Sequence, residues 1–204
     1  MSKTHAVMET NKYPQIILAS TSKYRSELLN KLKIPFETAN PGIDETPFPG
    51  ESPTALASRL ALAKSRAIHP TLPHSLVIGS DQVASIDHQL LGKPGSMDQA
   101  IDQLTLSSGR CVEFHTALTV TQTDTGESRS RLETTRVHFR ALSRSQIVRY
   151  LEAEQPFDCA GSFKSEGLGI ALFRQIDGRD PNALIGLPLI ALVEILSEWG
   201  LVIP

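Results

Sequence analysis

Hydroxyl, cationic and carboxylate side chains gather along this 204-residue chain in short clusters suited to a phosphate-bearing, metal-binding ligand. Ser20, Thr21 and Ser22 separate an apolar run from Lys23-Tyr24-Arg25. Open amides at a helix start, with hydroxyls and an arginine beside them, form an anion site. The same residues also suit a capped helix with a surface arginine. No GxxxxGK[ST] pattern is present, so the segment is not a P-loop. Asp44-Glu45 and Asp81 bring carboxylates from separate segments, the donor type that Mg²⁺ takes alongside water and phosphate. Singly, they read as a solvated turn and a capping residue. Lys64 and Lys93, with Arg25 and Mg²⁺, would largely neutralise a triphosphate of charge about −4. Alone, each lysine reads as a solvated surface residue. Ser20 and Ser80 have no histidine in a triad context, and none of the six histidines has metal-ligand spacing.

Alternating strands and helices must position these groups. Residues 15–19 form a short buried strand, and the stripe Leu28, Leu29, Leu32 predicts a helix over 23–33 that Pro35 stops. Ser52-Pro53 opens a second helix through Leu56, Leu60, Ala63 and Ala67, with Lys64 near its end. Leu76-Val77-Ile78-Gly79 is another buried strand, which leaves Asp81 near a strand end or on the adjoining polar face. Ser96 caps a third helix to about Gly109. Two β-rich runs between 111 and 140 flank Thr123-Asp124-Thr125-Gly126-Glu127-Ser128 as a hairpin with a longer loop, with His115 and His138 read as sheet residues on opposite strands. Helices follow over 143–153 and 187–199, the last stopped by Gly200. The fold class expected is α/β with a mixed sheet, since the hairpin forces antiparallel pairing.

With 20 Lys+Arg against 22 Asp+Glu, the net charge of −2 excludes a whole-protein field that holds nucleic acid or an anionic membrane. The two cysteines, Cys111 and Cys159, lack CxxC or Cys/His spacing, which argues against disulfides and structural zinc and for a reducing compartment. No signal-peptide pattern opens the chain, and the apolar stretch 187–196 is too short to span a bilayer. A cytoplasmic protein is expected, with a flexible leader over 1–14 and one domain over 15–204.

In order along the chain, Ile17-Leu18-Ala19-Ser20-Thr21-Ser22 with Arg25, Asp44-Glu45-Thr46, Ala63-Lys64, Ile78-Gly79-Ser80-Asp81-Gln82-Val83, Gly92-Lys93-Pro94, Ala160-Gly161-Ser162-Phe163-Lys164-Ser165-Glu166-Gly167 and Gly186-Leu187-Pro188 resemble the motifs of Maf-type nucleotide pyrophosphatases. The resemblance runs from Gln15 onward. It implies the Maf fold, an elongated mixed sheet flanked by helices with a central substrate cleft, related to inosine triphosphate pyrophosphatases. It also implies metal-dependent hydrolysis of a nucleoside triphosphate to monophosphate and pyrophosphate.

Position by position, the resemblance assigns phosphate binding to Ser20, Arg25, Lys64 and Lys93, the acidic metal site to Glu45 and Asp81, and proton acceptance to Asp81. Substrate specificity falls to Tyr24, Gln82 and Glu166. Many members carry Arg-Arg where this chain has Tyr24-Arg25, and that departure, with Glu166, resembles the branch acting on 7-methyl-GTP rather than on dTTP or UTP. Tyr24 would stack on the methylated base and Glu166 would accept the guanine N1–H and N2–H₂. The implied cofactor is Mg²⁺, with Mn²⁺ as the alternative, and the partner is the nucleotide, with a homodimer left open. The competing readings are another nucleotide pyrophosphatase and a nucleotide-binding inhibitor of cell division.

Overall fold

Among the described residues, serine caps start four of the five α-helices. The computed structural model describes residues 14–68 and 74–203, so the expected leader lies, apart from Pro14, outside the described residues. Ser22, Ser52, Ser96 and Ser143 each accept an amide three residues on, opening α1 (Lys23–Asn30), α2 (Pro53–Ala67), α3 (Met97–Ser107) and α4 (Arg144–Glu154). The fifth, α5 (Leu189–Glu198), has no cap of its own. Buried Asp180 supplies it from outside, its Oδ2 accepting the Ile190 N–H at 2.7 Å. Helix α1 stops three residues earlier than the apolar stripe predicts. The Lys31 and Leu32 amides turn back onto the Leu28 and Leu29 carbonyls, and Lys33 takes a left-handed φ of 53°.

The strands are β1 (Gln15–Ala19), β2 (Glu37–Ala39), β3 (Ser75–Ile86), β4 (Gln89–Leu91), β5 (Cys111–Gln122), β6 (Ser128–Phe139) and β7 (Phe173–Asp177). They form one seven-stranded sheet in the order β2-β1-β3-β5-β6-β7, with β4 paired to β3. The sheet is mixed as expected. β1 runs parallel to β2 and β3, and every later pairing is antiparallel.

Strand β3 is where fold and cleft meet. On one side it pairs with β5 continuously from Leu76 to Ser85. On the other, β1 accompanies it only as far as Ile78 and β4 only from Ala84, so residues 79–83 face an opening between two short strands. Asp81 therefore lies mid-strand, opposite Ala117, and not near a strand end or on a polar face. The ladder to β5 carries the strand through it. Crevices of this kind, beyond the ends of parallel strands, are where open α/β sheets bind ligands.

Two apolar clusters flank the opening. One joins α1, α5 and the paired ends of β1, β3 and β5 through Leu28, Ile78, Leu118 and Leu192. The other joins α3, α4 and the far ends of β3, β5 and β6, with Phe114, Phe139, Phe163 and Phe173 meeting edge to face at centroid distances of 4.7–5.7 Å. Helix α2 covers the opposite face through Leu56, Leu60 and Ala61 against Val83 and Ala117.

Gly79 sets how closely α2 approaches. A Cβ there would sit 2.2 Å from the Ala61 carbonyl oxygen and 2.5 Å from the Ser65 amide nitrogen. Gly79→Ala should push α2 away, lowering stability by about 1–3 kcal/mol and turnover with it, since Lys64 rides on that helix. Gly92→Ala, where a Cβ meets nothing within 4 Å, should leave stability unchanged. Urea denaturation midpoints check the contrast, and equal midpoints for the two variants would refute it.

Candidate active site

A cleft of about 1060 Å³ opens at residues 79–83 and collects residues from every flanking segment. Of the residues singled out in the sequence, Ser20, Tyr24, Arg25, Glu45, Lys64, Asp81, Gln82, Lys93 and Glu166 all line it.

The chain leaves β1 at Ser20, whose Oγ accepts the Ser22 N–H at 3.1 Å and lies 3.5 Å from Arg25 Nη1. Arg25 donates from Nε to the Gly186 carbonyl at 3.0 Å, and Ser80 Oγ lies 3.0 Å from that same oxygen. The 183–186 turn is strapped further by Gln82, whose amide donates to the Ala183 and Leu184 carbonyls, each at 2.9 Å, and by Thr116 Oγ1 at 2.8 Å from Ala183. Gln82 thus uses its donor side to hold a wall of the cleft.

Opposite stands Lys64, buried at 4% exposure on α2. Its Nζ lies 2.5 Å from Asp81 Oδ1 and 2.6 Å from Glu45 Oε1. The surface reading of this lysine is thereby corrected: the helix face that carries it packs on β3, where a buried carboxylate is waiting. Glu45 belongs to an exposed loop braced by Asp44 Oδ1, which accepts the Thr46 N–H at 2.9 Å. Arg59 ties the loop's end down, pairing with Glu51 at 2.7 Å and donating to the Thr46 carbonyl at 3.0 Å.

The two carboxylates on one ammonium respond oppositely. Burial pushes the Asp81 carboxyl above its ordinary range, against the pull of Lys64 and Arg25. At Glu45 burial acts upward too, but the Lys64 hydrogen bond, aided by Lys64, Lys93 and Arg25 charge, holds the carboxyl below its usual range. Half of the Glu45 side chain remains in solvent, which limits the opposing cost.

Among the described residues, no group of three or more His, Cys, Asp or Glu is placed to hold a metal ion. Glu45 and Asp81 nevertheless touch one cationic atom and so can share one cation. Two hard oxygens fit a Mg²⁺ that keeps water and phosphate in its remaining positions.

Tyr24, Asp158, Cys159 and Glu166 line the cleft as well. The segment bearing Glu166 is clamped from α4. Glu154 Oε2 accepts the Leu168 N–H at 2.8 Å, Tyr150 Oη accepts the Lys164 N–H at 3.1 Å, and Lys164 Nζ lies 3.7 Å from Glu154 Oε1. A Cβ on Gly167 would fall 2.7 Å from the Glu154 carboxylate, so a larger residue there would have to displace the end of that side chain from the Leu168 amide. Glu154, Tyr150 and Thr116 carry no sequence signal for these roles, because each acts through a neighbour distant in the chain.

Residues 15–199 match the model of the Maf-like protein family. The chain belongs to the Maf family. Its relatives within that family include the 7-methyl-GTP pyrophosphatase of Vibrio vulnificus (strain CMCP6), 54% identical over 187 residues that make up 92% of this chain and 96% of that protein. The 7-methyl-GTP pyrophosphatase of Aromatoleum aromaticum is 51% identical over 193 residues, 95% of this chain and all of that protein. A HAM1 protein from Coxiella burnetii shares the fold, with a TM-score of 0.51 at 14% identity, covering 91% of this chain and 99% of that one. Among the described residues of this Maf protein, no helix is long and apolar enough to cross a membrane.

Because Lys64 balances a buried carboxylate, Lys64→Met should cost about 3–5 kcal/mol of stability at neutral pH. Asp81 titrates above its unfolded value, so its contribution is fully present below the ordinary carboxylate range and is lost as pH rises through the raised value. Without Lys64 that loss deepens. The gap between wild type and Lys64→Met in denaturation midpoint should therefore be wider at about pH 8 than at about pH 4, and a gap independent of pH would detach Lys64 from Asp81.

Proposed function

We propose that this Maf family member hydrolyses 7-methyl-GTP to 7-methyl-GMP and pyrophosphate, removing a modified nucleotide from the cytoplasmic pool. The reading is carried by one observation: a buried carboxylate, Asp81, gripped by Lys64 beside Glu45, in a cleft that Tyr24 and Glu166 also line. The names of the relatives at 51–54% identity support the substrate.

The triphosphate binds toward Ser20, Arg25, Lys64 and Lys93. A divalent cation, Mg²⁺ or Mn²⁺, would be held by Glu45 and Asp81, and when bound it supplies Lewis-acid shielding of phosphate charge. Arg25, fixed by Gly186, offers its remaining guanidinium donors in a set orientation. Lys64, held by Asp81 and Glu45, gives its remaining ammonium donor to a phosphate oxygen and keeps Asp81 ionised. Asp81, whose burial already favours its protonated form, takes a proton from water as the water oxygen bonds to the α-phosphorus. The α–β bridging bond breaks and pyrophosphate leaves. At the base, the Tyr24 ring offers a cation–π face worth about 0.5–2 kcal/mol to a methylated guanine, and Glu166 accepts the two Watson–Crick donors that uracil cannot match.

Asp81→Asn should leave the fold intact and lower turnover by about 10²–10⁴-fold, read by pyrophosphate release; near-wild-type turnover would remove Asp81 from the reaction. With 7-methyl-GTP, GTP, UTP and dTTP assayed side by side, the wild type should favour 7-methyl-GTP, and Tyr24→Arg should lower its rate relative to GTP. Faster hydrolysis of UTP or dTTP would overturn the substrate, and no release from any nucleotide would leave a binding role.

A further inference from the structure

We infer that Asp158 is a specificity-determining residue, a counter-charge that selects a positively charged nucleobase over a neutral one in the cleft; this rests on the 7-methyl-GTP reading above. Arg25, Lys64 and Lys93 line the cleft with Glu45 and Asp81, and Tyr24, Asp158 and Glu166 line it too, with the charges of both of these carboxylates reaching the Tyr24 hydroxyl. Among the described residues, neither Asp158 nor Glu166 takes part in an ion pair, although fourteen pairs occur elsewhere in the molecule and Glu166's neighbour Lys164 is engaged by Glu154.

Asp158 is exposed, and it is held at the wall by the Cys159 thiol, whose Sγ donates to Asp158 Oδ1 at 3.4 Å. Burial and then Asp158 push that thiol up to about 12, so it stays protonated and remains a donor. The Tyr24 hydroxyl lies beside the same thiol, and the charges of Asp158 and Glu166 both reach it. The two carboxylates therefore act at the hydroxyl end of Tyr24, in the stretch of cleft wall that all three line.

The two carboxylates have different tasks. Glu166 meets donors that guanine and 7-methylguanine both possess, so its hydrogen bonds do not report methylation. Asp158 is not needed for that recognition and is left to act through charge alone. A neutral base leaves the two carboxylates without an ion-pair partner, whereas a base methylated at N7 brings the positive charge that both lack. Specificity then comes partly from what the wall does to the wrong ligand.

The test compares 7-methyl-GTP with GTP on the wild type, Asp158→Asn and Asp158→Glu. Asp158→Asn should lower the ratio of kcat/KM for 7-methyl-GTP over GTP by about twofold to fivefold, the size of an exposed ion pair. The change should lie in KM, with kcat held, and Asp158→Glu should restore the ratio. Added salt should shrink the wild-type ratio toward that of Asp158→Asn and leave the latter flat. Calorimetric binding of 7-methyl-GMP and GMP gives the same comparison without turnover. A wild-type preference that Asp158→Asn retains in full, or that is insensitive to salt, overturns the inference and leaves the substrate reading standing. A wild type without any preference for the methylated nucleotide overturns both.

Discussion

A primary ammonium held between two carboxylates in a nearly dry position is the interaction on which the rest of this molecule turns. Moving Lys64 and Asp81 out of water is unfavourable, and their attraction offsets that cost only when the geometry is close and the partners cannot drift. Much of the architecture secures that condition. Helix α2 lies against β3 because Gly79 has no Cβ, and the long ladder to β5 keeps Asp81 from moving along the strand. Glu45, the third member, comes from an exposed loop, so the trio combines one fixed acid with one that solvent reaches.

The cleft exists because of strand lengths. Had β1 run four residues further, or β4 begun earlier, the free edge of β3 around Asp81 would be covered by backbone partners. The chain instead turns at Ser20, and its first helical residues line the cleft. The 183–186 turn borders the same cleft, and it is tied by side chains from α1, β3 and β5 and not by strand pairing. The walls are thus made of hydrogen-bonded turns fixed to a stiff sheet.

The helices and the hairpin were legible in the sequence because their signals are local: a serine cap, a period near four, a turn between two β-branched runs. β2 and β4 span three residues each and β7 buries only Phe173, which leaves no alternation to read. The separate residues of the site were legible as chemical types and through the Maf resemblance. Their mutual placement was not. A lysine on an amphipathic helix looks the same whether it faces water or a carboxylate seventeen positions away, and nothing near Arg25 announces a carbonyl 161 residues on. The mid-strand place of Asp81 was hidden for a related reason, since a charge interrupts an apolar run before its partner is known.

That mid-strand place also ties ligand capture to the stiffness of the whole molecule. β3 and β5 are each twelve residues long and bridge both apolar clusters. Amides at the centre of these strands that pair β3 with β5 open to solvent only when the clusters on both sides come apart, unlike those of loops that fluctuate by themselves. A nucleotide seated over Asp81 is therefore linked to global unfolding, so its binding energy is felt as slower exchange in the centre of the sheet as well as at the rim of the cleft.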